Sequence, residues 1–232
     1  MNNNNTSGRS YKNLTMGKKQ LNKVRKLKPS SQKWVLRQLN DPFVKQAKMK
    51  GYRSRAAIKL EQMDNKYCFL KPHMKVVDLG SAPGGWLQIV YDRCLIYHGK
   101  GLLVGVDILD VEPLHKTEII KGDFSKTSVF NKVLNVIKNE CDLVLSDMAA
   151  TTTGHKKTDH LRTSALFELA FDFAQTVLVN DGTFVAKIFR GISDKMLDQK
   201  VKEKFSSVKF VKPKASRNES VETYMLATGF KK

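Results

Sequence analysis

Lys187 stands in the run Phe184-Val185-Ala186-Lys187-Ile188-Phe189, whose other members are all apolar. A buried ammonium is costly unless it is paired, and a lone one tends to lose its proton. A lysine placed there either snorkels from a strand end to water or serves chemistry beside an acid. The acid on offer is Asp147, which follows the strand candidate Leu143-Val144-Leu145-Ser146. A carboxylate and an amine at neighbouring strand tips suit proton handling or the orientation of a hydroxyl group.

A second constellation lies upstream. Val76-Val77-Asp78-Leu79 leads into Gly80-Ser81-Ala82-Pro83-Gly84-Gly85-Trp86, a strand running through a glycine-rich turn into a helix. Gly84 and Gly85 allow close approach of backbone to a ligand, and Pro83 stiffens the turn. No Gly-Lys-Ser/Thr follows, and the glycine spacing is not that of a dinucleotide fingerprint. Asp107 closes the next apolar run, where a ribose diol is commonly gripped. Asp123, in Lys121-Gly122-Asp123-Phe124, follows the third run and suits an adenine edge. Either aspartate alone reads as a turn residue or cap. At consecutive strand tips they describe a nucleoside site that needs no phosphate cradle, and S-adenosylmethionine is such a ligand. Glu222, at the start of the last run, reads by itself as a surface residue. His73, His98, His115, His155 and His160 form no ligand pattern, so no metal is expected.

These residues need elements to hold them. Strands are expected at Lys75–Leu79, Leu102–Asp107, Thr117–Ile120, Leu143–Ser146, Thr183–Phe189, Val208–Val211 and Thr223–Ala227. Helices are expected between most of them, at Trp86–His98, Thr127–Asn139, Leu161–Leu178 and Asp194–Phe205. Such alternation predicts an α/β fold with a mostly parallel sheet covered on both faces, and ligands at the carboxyl ends of its strands. A polar stretch, Thr151–Asp159, is expected as a mobile loop over the site. Ahead of Pro72 the pattern is helical, in three stretches starting near Ser31, Asp41 and Ser54, with Ser30 or Ser31 as the first cap.

The chain has 232 residues, enough for one domain and a tail, and its 41% hydrophobic content is that of a globular protein. No run of about 18 apolar residues predicts a membrane span. Its three cysteines form no CxxC pair, which fits a reducing cytoplasm. The net charge is +19, and it is uneven: residues 1–73 hold 18 Lys/Arg against 3 Asp/Glu, a net of +15. A polyanion such as RNA is the natural partner. Residues 1–30 read as a basic flexible tail and residues 31–232 as the folded domain, with 31–72 its basic helical portion. Trp34 in that portion is either a base-stacking residue or a core anchor.

Arg53-Ser-Arg55-Ala-Ala-Ile-Lys59-Leu, Val77-Asp-Leu-Gly-Ser-Ala-Pro-Gly-Gly-Trp86, Leu145-Ser-Asp147-Met-Ala, Val185-Ala-Lys187-Ile-Phe and Ser216-Arg217 through Glu222-Thr-Tyr-Met-Leu-Ala-Thr-Gly229 occur in that order. Together they resemble the FtsJ/RrmJ-type RNA 2′-O-ribose methyltransferases over about residues 31–230. The resemblance implies a Rossmann-like class I methyltransferase fold with a seven-stranded sheet. It implies a catalytic tetrad of Lys59, Asp147, Lys187 and Glu222, and S-adenosyl-L-methionine held by Gly84, Trp86, Asp107, Asp123 and Asp147. It implies a monomer acting on a uridine ribose of large-subunit ribosomal RNA in the assembling particle; the basic N-terminal face then has a role, with Arg53 and Arg55 expected on RNA phosphates and Trp34 or Tyr52 on a base. The same chemistry on tRNA or mitochondrial ribosomal RNA is the alternative, and the long basic arm argues against tRNA. A non-catalytic RNA-binding assembly factor is disfavoured, because all four tetrad residues are present. Two departures are Ala150, where the family usually has proline, and Ala186, where valine is common. Neither removes a reacting group.

Overall fold

The structure is a computed structural model of the chain, and it describes residues 28–150, 153–189, 195–217 and 220–232. Most of the expected basic tail lies outside the described residues. The first helix, α1 (Pro29–Asn40), starts on a proline, which needs no partner for a missing N–H, so Ser30 and Ser31 lie inside it and do not cap it. Asp41 ends α1 and caps α2 (Pro42–Met49) by accepting from the Phe43 N–H at 2.9 Å. A short loop leads to α3 (Ala56–Tyr67), which stops where Cys68 turns left-handed at φ 51°.

The α/β core follows as β1 (Lys75–Leu79), α4 (Gly85–Arg93), β2 (Leu102–Asp107), β3 (Glu118–Lys121), α5 (Thr127–Ile137) and β4 (Cys141–Ser146). It is completed by α6 (Lys156–Val177), β5 (Leu178–Phe189), α7 (Lys195–Lys204), β6 (Phe205–Val211) and β7 (Glu222–Phe230). The seven strands run in the order β3-β2-β1-β4-β5-β7-β6. The first five are parallel to one another, and β7 is antiparallel to both its neighbours. The expected α/β fold is therefore observed, with an antiparallel strand inserted between β5 and β6. Strand order reverses between β1 and β4, the position where such sheets bind ligands.

The two faces bury different helices. On one, Val129, Val133 and Ile137 of α5, Phe167, Phe171 and Phe173 of α6 and Val201 of α7 pack on Val77, Val144 and Phe184. On the other, Ala57, Leu60 and Met63 of α3 and Trp86, Leu87 and Val90 of α4 pack on Val76, Leu145, Val185 and Tyr224. That second face carries the site. A third, small cluster of Ala47, Ile58 and Ala215 fastens α2 to α3. The polar stretch expected as a loop is shorter than the sequence suggests, since α6 already begins at Lys156. Asp159 ties its described part down, accepting from the backbone N–H groups of Thr153 at 2.7 Å and Gly154 at 3.1 Å. Among the described residues no helix is long and apolar enough to cross a membrane.

Candidate active site

Register brings the polar residues together. β4 and β5 are paired so that Ser146 lies opposite Ala186, which sets Asp147 and Lys187 side by side one step further. Lys187 Nζ lies 2.6 Å from Asp147 Oδ1 and also donates to the Asp147 carbonyl at 3.0 Å. In the antiparallel pair, Lys187 faces Tyr224 and Phe189 faces Glu222, so Tyr224 and Glu222 project on the same side of the sheet as Lys187. α3 covers that side and lowers Lys59 onto it. Lys59 Nζ donates to Glu222 Oε1 at 2.6 Å and to the Tyr224 hydroxyl at 3.1 Å. The Tyr224 hydroxyl donates in turn to Asp147 Oδ1 at 2.9 Å. Glu222 Oε2 stands 3.9 Å from Lys187 Nζ, and Ser216 Oγ donates to Glu222 Oε1 at 2.9 Å.

Lys59, Asp147, Lys187 and Glu222 thus form one cluster of two cations and two anions. Lys187 and Lys59 retain only 8% and 9% exposure, and each is paired with one of the two acids. Burial works to lower the Lys187 pKa, but Asp147 and then Glu222 outweigh it and hold the pKa above the ordinary lysine value. Burial likewise works to raise Asp147, and Lys187, Lys59 and hydrogen bonds from Lys187 and Tyr224 bring it below the usual carboxylate range. The pair stays ionised across the neutral range. Tyr224 is wholly buried, and burial together with Asp147 and Glu222 pushes its hydroxyl well above the ordinary phenol value, so it remains a donor.

The glycine turn opens beside this cluster. Gly84 caps α4 in a left-handed conformation at φ 101°. A methyl group on Gly84 would strike the Arg53 guanidinium, and one on Gly85 would strike Ser54 Oγ. The Asp147 N–H bonds the Leu79 carbonyl at 3.1 Å, which docks the tip of β4 against the start of the turn. Asp107, at the tip of β2, accepts from the Ala82 N–H and the Leu109 N–H, each at 2.8 Å, and so braces the turn from the other side. Asp123 lies further out and is exposed; hydrogen bonds from the Ser125 side chain and backbone hold its pKa below the usual range. Trp86 is 3% exposed, its indole N–H donates to the Ala56 carbonyl at 2.9 Å, and its ring packs 5.6 Å from that of Tyr224. Its side chain is a wedge between α3 and α4, and its backbone lies in the first turn of α4.

Of the residues expected on RNA, Arg55 is paired internally with Asp41 and donates to the Ala215 carbonyl. Arg53 lies over the glycine turn and donates to the Glu112 carbonyl at 2.6 Å. The Trp34 side chain lies outside the described residues, although its backbone is in α1. Sequence reasoning missed Tyr224, whose position two residues past Glu222 puts it on the same face of β7. It also missed a group of buried polar atoms around the turn that accept or donate no hydrogen bond: Ser54 Oγ, Ser81 Oγ and both carboxyl oxygens of Asp78. Asp78 interrupts an apolar strand just as Lys187 does, and that was the signal available. Burial, then Asp147 and Asp107, raise the Asp78 pKa well above the usual range. Among the described residues no cluster of three or more His, Cys, Asp or Glu side chains could hold a metal ion.

Comparison with known proteins gives a consistent picture. The FtsJ-like methyltransferase family matches residues 52–230. The protein named ribosomal RNA large subunit methyltransferase E in Parvibaculum lavamentivorans is 46% identical, covering 97% of this chain and 93% of its own. The protein of that name in Rhodopseudomonas palustris is 50% identical, with 89% and 88% covered. A solved structure, described as a putative ribosomal RNA methyltransferase from Plasmodium falciparum, superposes with a TM-score of 0.69 at 31% identity, covering 77% of this chain and 98% of that one.

Proposed function

Since the chain belongs to the FtsJ-like methyltransferases, we propose that it uses S-adenosyl-L-methionine to methylate a uridine ribose 2′-hydroxyl of large-subunit (23S-type) ribosomal RNA. The relatives named for large-subunit ribosomal RNA support that substrate. The assembling large subunit in the cytoplasm is the natural place for it. The observation that carries the reading is the Lys59–Glu222–Lys187–Asp147 cluster joined through Tyr224 beside the glycine turn.

The donor fits the residues present. The orphaned Ser54 Oγ lies against Gly85, whose missing side chain leaves the start of the helix open, and this is a lining expected where a polar ligand completes the hydrogen bonding. Gly84, the backbone of Trp86, Asp107, Asp123 and Asp147 would hold it. When bound it supplies an electrophilic methyl group on a sulfonium, whose departure needs no protonation.

The work left to the chain is to position and deprotonate a poor nucleophile. Lys187 Nζ directs two of its donors at Asp147 Oδ1 and the Asp147 carbonyl. The remaining direction faces the substrate hydroxyl, where a protonated Lys187 fixes the lone pairs and a neutral one takes the proton. In the resting site Asp147 and Glu222 hold Lys187 protonated, so the neutral form requires that pairing to loosen once the substrate is bound. Glu222 keeps Lys59 in place, and Tyr224 keeps the Asp147 carboxylate turned toward Lys187. Alignment of this kind supplies a large part of a transfer rate. The basic portion 31–72, with Lys45 and Lys48 exposed on α2, would follow the RNA backbone.

The test is transfer of labelled methyl groups to large-subunit RNA, to isolated large subunits and to tRNA, with the product mapped by mass spectrometry. We expect one 2′-O-methyluridine in large-subunit RNA. In Lys187→Ala we expect transfer to fall by about 10²–10⁴-fold, the usual contribution of a proton-handling group, with donor binding retained. Wild-type turnover by Lys187→Ala, or label confined to tRNA, would overturn the reading.

A further inference from the structure

We propose that Arg53 is a donor-site residue, a strap over the cofactor cleft whose guanidinium grips the carboxylate of the methyl donor's amino-acid end. This rests on the donor being S-adenosylmethionine. The loop that carries Arg53 is fastened to α4 by one side chain. The Gln88 amide oxygen accepts from the Arg53 N–H at 2.7 Å, and its amide nitrogen donates to the Gly51 carbonyl at 3.0 Å. The Arg53 side chain then crosses the N-terminus of α4, lying where a methyl group on Gly84 would be, and ends on the Glu112 carbonyl beyond β2. It therefore spans from the turn after β1 to the segment after β2, the two walls between which a nucleoside donor lies in such sheets.

The hydrogen bond found for the guanidinium in the structure is to that neutral carbonyl, and among the described residues no carboxylate lies within ion-pair distance of it. A guanidinium presents five donors, and a carboxylate is the ligand that matches its fork. Two more features at the same place favour an anion. Ser54 Oγ is buried without a partner against Gly85, and the unpaired N–H groups at the start of α4 carry the positive end of the helix dipole. The methyl donor has one anionic group, its α-carboxylate, and this corner would receive it. The neighbouring Arg55 cannot substitute, because it is bound to Asp41 and the Ala215 carbonyl. A phosphate of the RNA is the competing anion for Arg53, and the experiment separates the two.

The full-length wild type, Arg53→Ala and Arg53→Lys are compared by calorimetry with S-adenosylhomocysteine, which keeps the carboxylate, and with 5′-methylthioadenosine, which lacks it. Affinity for large-subunit RNA is measured alongside. Arg53→Ala is expected to weaken S-adenosylhomocysteine about 10- to 100-fold, the range of one charge-assisted contact, with 5′-methylthioadenosine and RNA unaffected. Arg53→Lys keeps the charge and should recover part of the loss. The Arg53 N–H that bonds Gln88 survives both changes and only the exposed bond to the Glu112 carbonyl is at stake, so thermal unfolding should move little. Equal weakening of both nucleosides, or loss of RNA affinity with S-adenosylhomocysteine unchanged, would overturn the assignment. If the wild type binds neither nucleoside, the methyltransferase reading itself fails and the strap falls with it.

Discussion

A carboxyl group that is wholly buried and accepts no hydrogen bond favours its neutral form. Asp78 is that group here, with its pKa raised by burial and by Asp147 and Asp107. Below the unfolded carboxylate value, near 3.9, both states are protonated and Asp78 costs nothing. As pH rises past that value the unfolded chain ionises while the folded one resists, so stability is lost until the raised folded pKa is reached. Asp78→Asn removes the titration. It should raise stability relative to the wild type by about 1–3 kcal/mol at neutral pH and by little near pH 4, read as a pH-dependent difference in melting temperature. A difference that does not vary with pH would show an ionised Asp78. The same residue shows what could be read in advance. Lys187 was conspicuous because ammonium groups are rare inside strands, and Asp147 because it follows a strand. Glu222 had no such mark and gained meaning only through the family resemblance. Tyr224 was hidden by its type, since a buried tyrosine in a strand looks like packing until its hydroxyl is seen between Lys59 and Asp147.

The elements hold these groups through a few tight passages, and the turn after β1 is the most constrained. Gly80 sits at φ 77°, and its N–H bonds the Val106 carbonyl at 2.9 Å. A methyl group there would lie 2.8 Å from the Met148 N and 2.9 Å from its Cα, both backbone atoms next to Asp147. Gly80→Ala combines a left-handed backbone with a clash that no side chain can relieve. It should cost about 2–4 kcal/mol of stability, seen as a lower urea midpoint at unchanged slope. Because the displaced segment carries Asp147, methyl transfer should fall further than the loss of folded protein explains. A midpoint within experimental error of the wild type would refute the account. The strand interiors were readable from apolar runs, and β1 and β2 occur where expected. The ends were not, because strands continue as far as a neighbour pairs with them: β7 reaches Phe230 against β6, beyond its apolar centre. The helix expected over 86–98 stops at Arg93, since Leu95 is left-handed at φ 53° and a single turn, Ile96–His98, follows. Nothing in the local pattern marks β7 as antiparallel, yet that direction is what sets Glu222 beside Phe189 and so near Lys187.

At the scale of the whole molecule the governing quantity is charge. The proposed catalytic cluster is self-neutralising, with Lys59 and Lys187 matched by Glu222 and Asp147. It therefore adds little to the attraction of an approaching polyanion. That attraction comes from the excess of +15 in residues 1–73, of which residues 1–27 contribute seven Lys/Arg and no acid. If these cations contact phosphates, each releases counterions, and RNA affinity acquires a salt dependence with a slope of about 0.7–0.9 per contact. Replacing Lys18, Lys19, Lys23 and Lys26 together by Gln should flatten the plot of log affinity against log salt by about 3. Donor binding and the rate at saturating RNA should be unaffected, because the cluster and the turn are built from residues beyond position 52. The expected signature is a raised KM for RNA with kcat preserved, an effect that shrinks as salt is added and screens both proteins alike. An unchanged slope would place the tail's charge off the RNA and leave α2, with Lys45 and Lys48, as the source of the attraction.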